Sequence, residues 1–131
     1  MALTGAGWLA VLRVLKHALP LPSLTRLMWH RATGLDRHLQ REQRTVAIVR
    51  GLSRRTGGNC LERSLVLYRF MSRLNAAPEL VAGMGKSREV IGHAWVEVGG
   101  QPLLESPQSL AAYVEVVRFG VDGLRVRAQD D

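Results

Sequence analysis

The chain holds a single cysteine, Cys60, in the run Gly57-Gly58-Asn59-Cys60-Leu61-Glu62-Arg63-Ser64-Leu65. A second run, Gly92-His93-Ala94-Trp95-Val96-Glu97-Val98, carries a histidine, and Gln101-Pro102-Leu103-Leu104-Glu105 follows with a carboxylate. Cysteine, histidine and acid, in that order, are the types needed for a thiol nucleophile, its base and the group that orients the base. Only the thiolate attacks, and a helix N-terminus favours it through partial positive charge and unpaired amides. Asn59 reads as an N-cap with Glu62 completing a capping box, which puts Cys60 in the first turn of a helix. The amides left free there are also the natural place for an oxyanion, with the Cys60 N–H the first candidate. The Asn59 side chain is a secondary candidate for that role, in competition with its capping. The alternative for Cys60 is a buried, inert thiol.

His93 is the expected base, on a strand over residues 90–98. Alternation places Ile91 and Trp95 on its face, with Trp95 as support, and turns Ala94, Val96 and Val98 into the core. Glu105 is the expected acid. A two-residue turn at Gly99-Gly100 would pair Val98 with Gln101 and leave Glu105 on the wrong face. A bulge at Pro102, or a three-residue loop, would shift the register by one and bring Glu105 diagonal to His93, and such a bulge is expected. Glu97 shares the face of His93 but lies roughly 13 Å along the strand. Asp122 is the weaker substitute acid.

The elements that must position these residues read as helices first, then strands. Trp8, Leu12, Leu15 and Leu19 form a helical stripe, which Arg13, Lys16 and His17 interrupt, so neither a secretory h-region nor a membrane span is expected. An amphipathic helix docked on the core is expected rather than one lying on a membrane. After Pro20 and Pro22, Ser23 is placed as the cap of a short helix through Leu24, Leu27, Met28 and Arg31, stopped by Gly34. A longer helix is placed over residues 35–55 with Leu39, Val46, Val49 and Leu52 buried. The cysteine helix runs to about Leu74, with Leu61, Leu65, Tyr68 and Ser72 on one face and Leu67, Phe70, Met71 and Leu74 on another. Strands follow at 79–84, 90–98 and 101–105. A short helix capped at Ser106-Pro107 comes next, then a hairpin of 113–119 with 124–127. The fold class is α+β, an antiparallel sheet packed on the Cys60 helix. Residues 1–56 form a basic helical region and 57–131 the core, together one compact domain.

The net charge of +7 on 131 residues is confined to one half. Residues 1–56 hold ten Lys/Arg against Asp36 and Glu42; residues 57–131 hold eight against nine acids. Such a basic half suits an acidic peptide, a phosphate-bearing partner or a membrane surface, or is simply a solvated face. No nucleic-acid motif or aromatic stacking series accompanies it, and nucleic acid is not an expected partner. His30 and His38 have no carboxylate or thiol at ligand spacing, so no metal and no organic cofactor are expected. A free thiol without a disulfide partner points to the cytoplasm.

At Asn59-Cys60-Leu61-Glu62-Arg63-Ser64-Leu65 and His93-Ala94-Trp95-Val96-Glu97-Val98 the chain resembles the lasso-peptide leader peptidases. These are maturation proteases within the transglutaminase-like, papain-related cysteine enzymes. The resemblance covers residues 57–106 and extends only loosely over the N-terminal helices. It implies a Cys60–His93–acid triad, with Glu105 where the family usually has aspartate. It also implies three partners: a precursor peptide with leader and core, a small leader-binding adapter, and an asparagine-synthetase-like cyclase. The basic segment before the motif does not read as a fused adapter. Two other readings stay open: a transglutaminase-like amidase or acyl transferase using the same residues, and a non-catalytic peptide-binding module.

Overall fold

A computed structural model describes residues 20–29, 39–56, 60–87 and 92–126, the side chains of residues 52–56 excepted. The expectations at residues 1–19, His30, Arg31, Gly34, His38, Asn59, Ile91 and 127 onward lie outside the described residues. Among the described residues three helices precede the sheet: α1 (Leu21–Met28), α2 (Leu39–Thr56) and α3 (Cys60–Arg73). Then come β1 (Glu79–Gly85), β2 (His93–Val98), β3 (Gln101–Leu103), the short α4 (Pro107–Leu110), β4 (Tyr113–Phe119) and a 3-10 turn at Val121–Gly123. The strands form one antiparallel sheet in the order β3-β2-β1-β4. The architecture is α+β.

Helix α3 is the centre of the core. Leu65, Val66, Leu67, Tyr68 and Met71 are buried on it, with Leu61 and Phe70 partly so. Leu24 and Met28 of α1 and Val49 of α2 meet it from the helical side, and Leu80, Val96, Val98 and Phe119 from the sheet. Each such large side chain contributes about 1.5–3 kcal/mol on burial. Helix α3 ends where its sequence says it should. Asn75 takes a left-handed φ of 59°, Ala76 N–H donates to the Met71 carbonyl at 3.1 Å, and Asn75 N–H to that of Ser72 at 3.2 Å. This is a Schellman cap with Asn in place of Gly.

Local expectations are corrected at α1, at α2 and at the final hairpin. Ser23 does not cap α1: Pro20 is the N-cap residue and the helix begins at Leu21, because Pro22 at its second position already supplies helical φ. Helix α1 stops at Met28 with Trp29 as its C-cap, and Leu27 is exposed. On α2, Leu39 is exposed, while Val46 and Val49 do pack. Among the described residues the final hairpin shows one bridge, Phe119↔Arg125, with the 3-10 turn between its arms.

That turn is tied down from beneath. The Tyr68 hydroxyl donates to the Gly120 carbonyl, and Thr25 Oγ1 donates to the Gly123 carbonyl at 2.9 Å. Burial pushes the Tyr68 phenol well above its ordinary range. In the unfolded chain it ionises near ~10. The folded state keeps the proton beyond that point, so this stability is complete below about pH 10 and is lost as pH rises further. In urea titrations the unfolding midpoint of the parent is expected to drop steeply above about pH 10. Tyr68→Phe should be less stable at neutral pH and show a shallower alkaline fall; an equal slope would contradict this.

Candidate active site

Helix α3 is fixed near its N-terminus to the start of β2. Ser64 Oγ, buried, donates to the Ala94 carbonyl at 3.0 Å, and Ala94 adjoins His93. Cys60 stands four residues before Ser64, so the two share a helix face with β-carbons about 5–6 Å apart. The thiol is free and half-buried. As the first residue of α3 its backbone N–H has no partner within the helix. Asn59, expected as cap and oxyanion support, lies outside the described residues.

His93 Nε2 lies 2.6 Å from Glu105 Oε1, and both side chains are largely enclosed. A carboxylate can only accept, so Nε2–H donates and Nδ1 is the nitrogen left for other work. The acid reaches the histidine by a different device from the one expected. The register is the unbulged one, with Val98↔Gln101, Glu97↔Pro102 and Val96↔Leu103, across a two-residue turn at Gly99 (φ 59°) and Gly100 (φ 79°). Positive φ at both turn residues is what a tight twisted hairpin requires. No bulge forms at Pro102. Instead β3 ends at Leu103, and Leu104 adopts φ 65°, which breaks the alternation and swings Glu105 across to His93. A leucine in the left-handed region is strained, and such strain persists only where surrounding contacts impose it. Here they do: Glu105 Oε1 also accepts from Arg63 at 3.1 Å, and Oε2 from Ser109 at 3.3 Å.

Ser109 comes from α4, whose start follows the expected pattern. Ser106 is the cap, accepting from Ser109 N–H at 3.1 Å, and Pro107 is the first helical residue.

Trp95 and His93 share a face as expected, their rings stacked with centroids 6.0 Å apart. Tyr113, at the start of β4, also stacks on His93, at 5.0 Å, and lies 6.3 Å from Trp95. The Trp95 indole N–H donates to Glu97 at 2.8 Å. Glu97 is held in turn by Arg118, which also binds Glu79 and Glu115. These contacts, led by the Glu115 hydrogen bonds, hold the Arg118 guanidinium above its ordinary range. Glu97 is therefore committed to Trp95 and Arg118 rather than to His93. Asp122 sits beyond the Phe119 end of β4, whereas His93 faces Gly83 and the Tyr113 end, so Asp122 is not brought to the site.

Sequence reading missed Arg63, Ser109 and Tyr113. Arg63 carried a usable signal, since it lies three residues after Cys60 and so in the turn that must face the strands. Tyr113 carried none, because its contact depends on the pairing of β4 with β1 rather than with a later strand.

Among the described residues no three His, Cys, Asp or Glu side chains gather to hold a metal ion. Nor, among them, is any helix long and apolar enough to cross a membrane.

No curated protein and no solved structure matches the chain. The family described as the Transglutaminase-like superfamily matches residues 2–118. That superfamily is typically one of cysteine-dependent enzymes and includes both cysteine peptidases and transglutaminases. With nearly the whole chain matched, helices and sheet together, the protein belongs to the transglutaminase-like superfamily.

Proposed function

We propose that the protein is a cysteine peptidase that removes the leader from a ribosomally made lasso precursor peptide, with Cys60 as nucleophile, His93 as base and Glu105 as orienter. The observation that carries this reading is the 2.6 Å His93–Glu105 pair beside a cysteine helix pinned to the same strand by Ser64. The pairing that orients an imidazole thus stands at the start of the strand to which the helix carrying the chain's only thiol is pinned.

Chemically, His93 Nδ1 takes the Cys60 proton, and the thiolate attacks the carbonyl carbon at the leader–core junction. The tetrahedral oxyanion rests on amides at the start of α3, the Cys60 N–H first. As the C–N bond breaks, the imidazolium returns its proton to the departing core amine, leaving a thioester on Cys60. Water, deprotonated by His93, then attacks the thioester, releasing the leader carboxylate and the thiol. Glu105, fixed on Nε2–H, keeps Nδ1 toward the sulfur and stabilises the imidazolium. Trp95 and Tyr113 hold the ring plane.

In this reading the protein works in the cytoplasm with a leader-binding adapter and an asparagine-synthetase-like cyclase. The exposed Arg41, Arg44 and Arg50 of α2 belong to the basic region, residues 1–56, offered to the adapter, the leader or the cyclase. The match to the whole superfamily favours one second reading, an acyl transferase that delivers the thioester to an amine.

The two separate in heavy-oxygen water. Precursor peptide, adapter and this protein are incubated with and without a labelled primary amine, and the products are weighed. One heavy oxygen in the new leader carboxylate supports the peptidase. A leader or side-chain amide bearing the amine supports the transferase and displaces it.

A further inference from the structure

Glu105 stands just beyond the last ladder pair of its hairpin, Val96↔Leu103, after a residue in left-handed conformation. Sheet pairing therefore does not set where its carboxylate goes. Side-chain contacts do, and they come from three elements: His93 on β2, Arg63 on α3 and Ser109 on α4. Of these Arg63 is the charged one. It donates to Oε1 at 3.1 Å, the same oxygen that His93 meets at 2.6 Å. It also belongs to the cysteine's own helix, three residues after Cys60, so its guanidinium spans from the nucleophile's element to the acid.

From this geometry we infer that Arg63 is a positioning residue: it holds Glu105 onto His93 and so locks the acid to the helix that carries the nucleophile. The pair is not a solvent-exposed ion pair of negligible effect. Arg63 is 27% and Glu105 14% exposed, so water screens it incompletely. Without the guanidinium, Ser109 at 3.3 Å is the only other hydrogen-bond donor described on the carboxylate besides His93, and it engages the far oxygen. The strained Leu104 backbone would then be free to relax and carry Glu105 off the ring. The inference rests on the thiol-site reading above, since it assigns Arg63 a task only if His93 serves Cys60.

The test needs no knowledge of substrate. Cys60 is the chain's one cysteine, so the rate of iodoacetamide alkylation, followed by intact mass, reports that thiol alone. Four proteins form a cycle: parent, Arg63→Met, Glu105→Gln and the double variant, with Arg63→Lys added and melting temperatures recorded. Each single change is expected to slow alkylation about tenfold, with the double variant no slower than Glu105→Gln alone. Arg63→Lys, which keeps the charge but not the planar fork, should recover part of the loss. A parent-like rate in Arg63→Met would overturn the inference. So would a second full tenfold loss when Arg63→Met is added to Glu105→Gln, because Arg63 would then act on Cys60 or on the fold directly. A parent thiol no faster than free cysteine would instead overturn the thiol-site reading, and the inference with it.

Discussion

Replacing His93 by alanine is expected to lower turnover by about a thousandfold or more while leaving the protein folded. The size follows from the arrangement of the ring. Glu105 occupies Nε2, leaving Nδ1 as the ring nitrogen to which the proposed mechanism gives the proton transfer with Cys60. Among the described residues nothing else is placed to substitute: Glu97 is held by Trp95 and Arg118, and Asp122 lies beyond the other end of β4. The structural cost is small by comparison. His93 stacks on Trp95 and Tyr113, contacts worth about 0.5–1.5 kcal/mol, and its loss leaves Glu105 still paired with Arg63 and Ser109. The loss should therefore fall on kcat rather than KM, and Cys60 alkylation should slow in parallel. Unchanged kcat with a weakened KM would mean that His93 only helps bind the peptide.

The second large effect is structural and comes from the floor beneath the aromatic cluster. Gly83 lies opposite His93 on the neighbouring strand. A β-carbon there would come within 2.7 Å of the Val114 carbonyl oxygen and 3.2 Å of the Trp95 indole. The carbonyl is backbone of β4, which pairs with β1 through an irregularity between Ala82 and Gly83, so it has no cheap way to retreat. In an ordinary strand Gly→Ala would add about 0.5–1 kcal/mol of stability. Gly83→Ala is expected to reverse that sign and cost about 2–3 kcal/mol, seen as a fall in melting temperature of about 10 °C. Gly51→Ala, on α2 where a β-carbon meets nothing within 4 Å, is the control and should stabilise slightly. A Gly83→Ala protein as stable as the parent would show that Trp95 and β4 are not held as tightly as their contacts imply. If it stays folded, its His93 should be misplaced with Trp95, and activity should fall as well.

The plan of the molecule was legible where local chemistry decides structure. The bounds of α3, the stop at Asn75 and the Ser106 cap all follow from local residue types. So did the inward face of β2 at Val96 and Val98. What the sequence hid was set by tertiary contact. A bulge at Pro102 or a three-residue loop is what the sequence offers to deliver Glu105, yet the break is one of backbone angle at Leu104, a residue type that carries no signal for positive φ. Its conformation is imposed from outside, by Arg63, Ser109 and His93 on the side chain that follows. Leu39 has the spacing of Val46 and Val49 yet is exposed, because a helical stripe does not say which of its positions a neighbour covers. Tyr113 became part of the site only because β4 pairs with β1, which brings a strand from the far end of the chain alongside Gly83 and Gly85.

The proposed mechanism stands or falls on Cys60 as the nucleophile. The direct measurement is mass spectrometry of a lasso precursor peptide incubated with its adapter and either the parent or Cys60→Ala. A single cut at the leader–core junction made by the parent and absent with Cys60→Ala is the expected result. Equal cleavage by both proteins would contradict it, and would remove the thiol, the His93 base and the Glu105 orienter from the reaction together.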